Sequence, residues 1–158
     1  NIYTVRHTGD GDYKNGIHIG EDIYKNDGFI VHFFSEKKVR KIADGFNIIN
    51  IESFDVTHGM IKATGFFFDK IVYISDCNKI PNKSLKKLIN LDYLIIDCLR
   101  KDKHPSHFNY SDALDLIKKV NPKKSILTNL HVDLDYFKLK KKLPKNIIPA
   151  YDGLSFNF

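Results

Sequence analysis

The hydrophobic positions between residues 55 and 158 predict several strands. Residues 61–68 and 71–75 are apolar runs separated by an Asp-Lys pair, as in two strands joined by a turn. Residues 93–98 form an apolar run interrupted only by Asp97, which is typical of a strand covered on both faces of its sheet. Residues 125–128 predict a shorter strand, and residues 147–156 predict a closing extended segment.

Three helical patterns lie between these strands. Residues 111–120 place their apolar side chains on one face of a helix. Residues 81–89 predict a helix with Asn82 as its N-cap, and residues 135–143 predict another. Strands and helices therefore alternate along this part of the chain, and that order predicts an α/β layered fold.

The beginning of the chain has a different pattern. Glycines and acidic residues between positions 8 and 20 favour turns and an irregular loop. The apolar run 29–34 is too short to assign as strand or helix. Ser35, followed by an acidic and then basic residues, predicts a helix that ends at Gly45. Residues 46–54 alternate as a half-buried strand does.

Composition narrows the class of protein. The 158 residues are 42% hydrophobic and 28% charged, which is ordinary for a soluble globular protein. No apolar run approaches the ~20 residues that span a bilayer, so we expect no membrane partner. Cys77 and Cys98 lie in strand-like contexts without a CxxC motif, which predicts buried thiols and a cytoplasmic location. The start lacks an initiator Met, so we expect a fragment or a trimmed chain.

The charge is distributed unevenly. Residues 1–55 contain seven basic and nine acidic residues, whereas residues 56–158 contain eighteen and ten. A basic face favours phosphate-bearing ligands or nucleic acid, but a solvated lysine surface is the interpretation that we prefer for this excess. The lysine-rich run 138–142 fits the exposed end of a helix. No nucleic-acid-binding motif accompanies these charges, so we expect no specific nucleic-acid partner.

Residues that suit metal chemistry follow several of the predicted strands. Imidazole and carboxylate ligands favour Zn, Mn or Fe over Ca or Mg. A lone histidine is more often a hydrogen-bonded structural residue, and Asp97 either orients a ligand histidine or makes a structural hydrogen bond. The groups are Thr57-His58-Gly59, Ser75-Asp76, His104-Pro105-Ser106-His107 and Thr128-Asn129-Leu130-His131.

The order of these groups, with Leu94-Ile-Ile-Asp-Cys-Leu-Arg100 and Pro149-Ala-Tyr-Asp-Gly153, resembles a known family. It is similar to metallo-β-lactamase-fold hydrolases of the kind that includes the cyclic phosphodiesterase of the carbon–phosphorus lyase pathway. The resemblance covers residues 55–158. It implies an α/β fold that is the C-terminal half of an αββα sandwich, and a metal-dependent hydrolase acting on a phosphodiester or similar ester.

The resemblance also implies roles for individual residues. His58 corresponds to a metal-binding histidine, and Asp76 to the carboxylate that bridges two metals. His107 corresponds to a catalytic histidine that acts as an acid or contacts phosphate. The family often has His where this chain has Asn129, so His131 takes the last ligand role, lies behind the ligands, or that ligand is lost.

One motif of the family is missing. The family's first metal motif is His-x-His-x-Asp-His, and none of the seven histidines here forms a His-x-His pair. We therefore expect a Zn or Mn site, with Fe as a third choice, that is incomplete and gives weak or no activity alone. A second chain that supplies the missing half is one alternative, and the expected substrate is a small phosphorylated compound or ester.

Residues 1–54 resemble the tail of a class I S-adenosylmethionine-dependent methyltransferase. The phrases Gly28-Phe-Ile-Val-His-Phe-Phe-Ser35 and Phe46-Asn-Ile-Ile-Asn-Ile-Glu52 carry this resemblance, which includes no cofactor-binding residue. Such a segment implies one of two origins. Either two partial domains are joined near residue 54, or the chain is a small α/β protein in which residues 1–54 replace the first half of the metallo-β-lactamase fold. Alternative functions are therefore a methyltransferase fragment or a non-enzymatic fused scaffold.

Overall fold

The computed structural model describes residues 2–7, 14–26, 29–35, 37, 41 and 51–156. These residues fall in two compact units, Asn1–Ile48 and Ile49–Phe158. The first unit contains a four-stranded sheet of order β1-β4-β3-β2, with β1 parallel to β4 and the other neighbours antiparallel. Its strands are β1 (Ile2–His7), β2 (Ile17–Gly20), β3 (Ile23–Asn26) and β4 (Phe29–Phe34).

The second unit contains a six-stranded sheet of order β10-β9-β8-β7-β6-β5. Its strands are β5 (Ile51–His58), β6 (Ile61–Phe68), β7 (Ile71–Ile74), β8 (Tyr93–Asp97), β9 (Lys124–Thr128) and β10 (Ile147–Pro149). Its helices are α1 (Asn82–Leu85), α2 (Tyr110–Val120) and α3 (Tyr136–Lys142). A helix follows β7, β8 and β9 in turn, as parallel strands require for their crossover connections.

Strand direction places four loops at one edge of this sheet. Strands β7 to β10 are parallel to one another, so their carboxyl ends lie at the same edge. Strands β5 and β7 are both antiparallel to β6, so β5 runs in the same direction as β7. The residues that follow β5, β7, β8 and β9 therefore converge, and these are the residues with candidate metal chemistry.

The main core lies on one face of the six-stranded sheet. Val72, Leu94, Ile96 and Leu127 are fully buried there, and Ile117 of α2 packs in the same cluster. Ile71, Tyr93 and Ile126 form a smaller cluster. Because β7, β8 and β9 contribute to both clusters, they form the rigid base from which the loops at the carboxyl edge extend.

Side-chain hydrogen bonds cap the N-termini of two of the three helices in this unit. Asn109 precedes α2 and its side-chain oxygen accepts the backbone N–H of Asp112 at 2.8 Å. Asp135 does the same for the N–H of Lys138 at 2.8 Å before α3. Asn121 ends α2 in the left-handed conformation, with φ of 51°.

Most predicted elements of the second unit are confirmed, with small shifts of their ends. The strand at residues 61–68 agrees with β6, and those at 71–75, 93–98 and 125–128 agree with β7, β8 and β9 within one residue. The lysine-rich run 138–142 lies in the last turns of α3, as expected.

Two predictions about this unit are wrong. The helix predicted at 81–89 covers only Asn82–Leu85, and Pro81, not Asn82, occupies the N-cap position without a side-chain cap bond. Proline is suited to a helix start because it has no N–H to satisfy. The extended segment predicted at 147–156 forms a strand only over Ile147–Pro149, since Asp152 and Gly153 make a turn.

In the first unit, the ambiguous run 29–34 is strand β4. The helix predicted after Ser35 lies largely outside the described residues, although Lys37 and Lys41 are helical. Most of the strand predicted at 46–54 is also outside them, and its last four residues belong to β5. The boundary drawn between residues 54 and 55 falls inside β5, whereas the two compact units divide at Ile48 and Ile49.

Candidate functional site: a histidine–carboxylate group at the sheet edge

The end of β5 is fixed to the loop after β7 by backbone hydrogen bonds. Thr57 donates to the carbonyl oxygen of Lys79 at 2.8 Å and accepts from the N–H of Asn78 at 2.9 Å. The Asn78 side chain then accepts the N–H of Gly59 at 3.1 Å and donates to the carbonyl oxygen of Pro105 at 2.7 Å. Asn78 thus joins the loops that carry His58 and His107.

Gly59 allows these loops to approach closely. Its φ is 64°, a left-handed conformation that glycine adopts without strain. A Cβ atom at this position would lie 3.1 Å from Cβ of Ser106. The glycine after His58 therefore serves both the turn between β5 and β6 and the contact with the loop before His107.

His58, Asp76 and His107 form a candidate metal-binding group. One ligand atom from each of the three lies within 4.8 Å of the others. The Nε2 atoms of His58 and His107 are 3.0 Å apart, and the two rings meet edge to face with centroids 4.5 Å apart. Asp76 is exposed and its Oδ2 accepts the hydroxyl of Ser75 at 2.8 Å.

The spacing of these atoms fits a transition metal. Two imidazole nitrogens bound to one tetrahedral zinc at about 2.0–2.1 Å lie about 3.3 Å apart, close to the separation of the two Nε2 atoms. Two histidines and a carboxylate are also the donor types that zinc, manganese and iron accept. The group matches a single cation with coordination positions left for water and substrate.

Asp97 lies directly behind His107 and is fully buried. Its Oδ2 accepts from Nδ1 of His107 at 2.7 Å and from the N–H of Cys77 at 3.0 Å, and its Oδ1 accepts from Nδ2 of Asn129 at 3.2 Å. With the proton of His107 on Nδ1, the lone pair of its Nε2 points at the ligand group. Burial raises the pKa of Asp97, while the Cys77 N–H and His107 oppose that rise.

Asn129 lies behind the ligand group, where its side chain donates to Asp97. It follows β9 with φ of 60°, and its Nδ2 reaches both Asp97 and the carbonyl oxygen of Ser75 at 3.4 Å. Asparagine adopts this backbone conformation more readily than most residues. The residue in the slot where the resemblance places a histidine therefore supports Asp97 and the end of β7.

His104 extends the row of imidazoles. Its ring centroid is 5.1 Å from that of His107, and its Nδ1 accepts the N–H of Ser106 at 3.3 Å. Desolvation lowers the pKa of His104, and the positive charge of Arg100 lowers it further. Because its Nδ1 accepts the N–H of Ser106, the ring of His104 carries its proton on Nε2.

His131 lies outside the group formed by His58, Asp76 and His107. It is exposed, and its Nδ1 faces Oδ1 of Asp133 at 2.8 Å. That pairing lowers the pKa of Asp133, because His131 donates to it and the N–H of Lys101 adds a further bond. The described residues thus bring together His58 and Asp76 of the predicted metal ligands with His107, the predicted catalytic residue, whereas His131 lies outside this group.

One residue behind the ligand group, Asp97, is marked by its place in the sequence, and another, Asn78, is not. Asp97 ends a fully apolar strand, where a buried carboxylate needs partners, and the structure supplies them. Asn78 has no comparable signal, because nothing local marks an asparagine that joins two distant loops. Its role depends on the distance between β5 and residue 105, which only the fold sets.

A family model for the beta-lactamase superfamily domain matches residues 19–129, more than half of the chain. The chain belongs to the beta-lactamase superfamily. The match includes every residue of the ligand group and also Asp97, Arg100, His104 and Asn129. It begins at residue 19, within the segment likened to a methyltransferase, and the comparisons do not support that resemblance.

Three solved structures are similar to this chain. A diphosphatase of the PhnP family is 26% identical, with a TM-score of 0.68 over 78% of this chain and 56% of that one. The short form of human tRNase Z is 20% identical, with a TM-score of 0.51 over 66% of this chain and 41% of that one. YhfI of Bacillus subtilis, a metallo-beta-lactamase fold protein, is 16% identical, with a TM-score of 0.57 over 96% of this chain and 63% of that one. The last two support the fold alone.

A curated relative is much longer than this chain. The octanoyltransferase of Porphyromonas gingivalis strain W83 is 28% identical over 109 residues, which are 67% of this chain and 22% of that protein. This chain therefore spans about a fifth of the length of that relative and about half of the length of the diphosphatase. Among the described residues, no helix has the length and apolar character needed to cross a membrane.

Proposed function

We propose that the chain is a metal-dependent hydrolase whose cation is held by His58, Asp76 and His107. The observation that carries this proposal is the 3.0 Å approach of two Nε2 atoms, with the Asp76 carboxylate in the same group and buried Asp97 behind one ring. Because Asp97 fixes the proton of His107 on Nδ1, the Nε2 lone pair is available to a cation.

In this proposal His107 binds the cation and does not donate a proton to the substrate. Nδ1 of its ring faces Asp97 and Nε2 faces His58, so both nitrogens have partners inside the site. Zinc or manganese is the proposed metal, since both accept two imidazoles and a carboxylate. A divalent cation in this position would supply Lewis acidity and an activated water.

The proposed reaction is hydrolysis of a phosphodiester or a similar ester. Water adds to the phosphorus or acyl carbon, the ester bond breaks, and the leaving oxygen takes a proton. Support comes from superfamily membership and from the 26% identity with a diphosphatase. We expect a slow reaction, because the described residues show one ligand group of three residues and the sequence contains no His-x-His pair.

Metal analysis tests the first step of this proposal. Protein prepared without chelator and incubated with Zn²⁺ or Mn²⁺ should retain close to one equivalent after desalting, and His58→Ala should retain far less. His18→Ala is a matched control, because His18 is an exposed imidazole of the other compact unit. Less than about a fifth of an equivalent on the unaltered protein would rule out this metal site.

Hydrolysis of bis(4-nitrophenyl) phosphate tests the second step. Activity should require added metal and fall to background in His58→Ala while persisting in His18→Ala. Equal rates in all three proteins would show that the activity comes from a contaminant. A metal-loaded protein without activity would support the metal site but contradict the proposed hydrolase activity.

A further inference from the structure

A pocket of about 290 Å³ is formed by α3, the first residue of α2 and the loops after β8 and β9. It has about the volume of ten water molecules at ~30 Å³ each, which suits a small organic ligand. None of His58, Asp76 and His107 lines it. The pocket is therefore separate from the proposed metal site.

Three lysines line this pocket. Lys138 and Lys142 lie one turn apart on the same side of α3, and Lys101 belongs to the loop after β8. Within the ranges that the structure describes, no carboxylate lies within ion-pair distance of any of these three ammonium groups. Their charges are therefore available to an anionic ligand.

Two carboxylates line the same pocket, and each is bound within its own part of the chain. Asp133 faces Nδ1 of His131 at 2.8 Å and accepts the N–H of Lys101 at 3.2 Å. Asp135 accepts the N–H of Lys138 at 2.8 Å. With three lysines and two aspartates in its wall, the pocket has one positive charge in excess, which a monoanion would neutralise.

The least exposed residues of the pocket are apolar. Leu134 and Leu139 line it and are 5% and 7% exposed. Tyr110, at the start of α2, adds an aromatic side chain to the same wall. An apolar lining with a small number of charged groups is typical of small-molecule sites, where apolar contact supplies affinity and the polar groups fix the orientation.

We propose that this pocket binds a small organic monoanion, a carboxylate whose apolar body contacts the two leucines and Tyr110 and whose head group binds the three lysines. Ammonium groups bind a carboxylate through charge-assisted hydrogen bonds. A neutral compound would leave the excess charge uncompensated, and a phosphate monoester would bring about two negative charges at pH 7. The ligand does not contact the proposed cation, so it binds with or without metal.

Binding of three naphthalene compounds tests the ligand class. The protein is treated with chelator, dialysed, and titrated by calorimetry with 2-naphthoate, neutral 2-naphthalenemethanol or 2-naphthyl phosphate. 2-Naphthoate should bind with a dissociation constant of about 1 mM or tighter, which is ordinary for a ligand of its size. The alcohol should bind about tenfold more weakly or worse, because hydrogen bonds to charged groups contribute this much.

Three outcomes of these titrations would overturn the proposal. The first is no binding of 2-naphthoate up to about 10 mM, which would exclude a specific site for it. The second is equal affinity for the neutral alcohol, which would show that the lysines do not bind the head group. The third is tighter binding of 2-naphthyl phosphate, which would contradict a site matched to a single negative charge.

Matched double variants of α3 locate the site. Lys138→Gln/Lys142→Gln removes two charges from the pocket, whereas Lys140→Gln/Lys141→Gln removes two from residues of the same helix that do not line it. All four lysines are exposed, so neither pair should disturb the fold. The first pair should weaken 2-naphthoate binding about tenfold or more, and the second less than about twofold in physiological salt. Equal losses would show that 2-naphthoate responds only to the charge of the helix and would overturn the proposal.

Amide chemical shifts give a readout that needs no variant. In nitrogen–proton correlation spectra, 2-naphthoate should shift the amide signals of Lys101, Leu134 and Leu139. Shifts concentrated at His58 and His107 would contradict the location of the site. Because these titrations need no metal, their failure would leave the proposed metal-dependent hydrolase standing, and a protein that binds no metal would still test the pocket.

Discussion

The carboxylate of Asp97 and the imidazole of His107 are joined by a 2.7 Å contact between Oδ2 and Nδ1, at a site where Asp97 is fully buried. The same oxygen accepts the N–H of Cys77, so the carboxylate cannot turn away without breaking a second bond. This relationship fixes both the tautomer and the orientation of His107. It links the buried end of β8 to the ligand group on the surface.

Replacing Asp97 should therefore weaken metal binding without removing a ligand. Asp97→Asn keeps an acceptor for the Cys77 N–H but no longer enforces a proton on Nδ1 of His107. We expect Zn²⁺ affinity to fall about 10- to 100-fold, the usual effect of removing a carboxylate behind a ligand histidine. Competition with a chromophoric chelator measures it.

Asp133→Asn is the control for that measurement. Asp133 holds His131 through an equivalent 2.8 Å contact, but this pair lies outside the ligand group. Its replacement should leave Zn²⁺ affinity unchanged. An equal loss in both variants would indicate that His131 belongs to the metal site after all.

Histidine substitutions distinguish the two candidate third ligands directly. His107→Ala should lower Zn²⁺ affinity by at least about 100-fold, because it removes a proposed ligand and takes the imidazole partner from buried Asp97. His131→Ala should change it less than about twofold, since His131 is exposed and paired with Asp133. The opposite ranking would restore the ligand role that the sequence suggested for His131.

The strands of this domain could be predicted because each is a local pattern. Residues 93–98 are apolar except for Asp97, and residues 61–68 alternate apolar with polar positions over part of their length. Both segments are strands at the expected places. Their order along the chain also implied that His58 and Asp76 follow strands of one sheet. The selection of His58 and Asp76 as candidate ligands depends on the family resemblance, because a single histidine or aspartate at a strand end has no such signal of its own.

The approach of His107, and not of His131, to His58 could not be predicted from local pattern. Both follow predicted strands, and which one reaches His58 depends on how the loops after β8 and β9 turn. Asn78 joins the loop of Pro105 to that of Gly59, which brings His107 in. Asp133 holds His131 away. These are long-range contacts between polar side chains, for which hydrophobic periodicity carries no information.

Gly65 is required by the ring of Phe54 on the neighbouring strand. The two residues are paired across β5 and β6, and a Cβ on Gly65 would lie 2.5 Å from Cζ of Phe54. Gly65→Ala should lower the free energy of unfolding by about 1–3 kcal/mol, the usual cost of overpacking. Urea denaturation measures it.

A double-mutant cycle checks the cause of that loss. Phe54→Leu removes the ring, so adding Gly65→Ala to it should cost clearly less than Gly65→Ala alone. Additive losses in the double variant would show that the alanine acts through the backbone of β6 and not through the ring.

Cys77 and Cys98 should be unreactive while the domain is folded. Both are fully buried free thiols, and burial raises the pKa of each to about 12. At pH 8 they are protonated and shielded, so a thiol-specific disulfide reagent should react at less than a hundredth of the rate of a small free thiol. In denaturant the same sample should release two equivalents, and fast reaction of either thiol in the native protein would contradict the burial.

The same two thiols should make the domain less stable in alkaline solution. Their folded pKa of about 12 lies above the ordinary value of 9.0, so the folded state holds these protons more tightly than the unfolded state. The contribution is fully present below pH 9 and is lost as the pH rises toward 12. The free energy of unfolding should therefore fall with pH above 9, and less steeply in Cys77→Ala/Cys98→Ala than in the unaltered protein. Lysines and tyrosines titrate equally in both proteins, so parallel curves would show that the thiols do not ionise on unfolding.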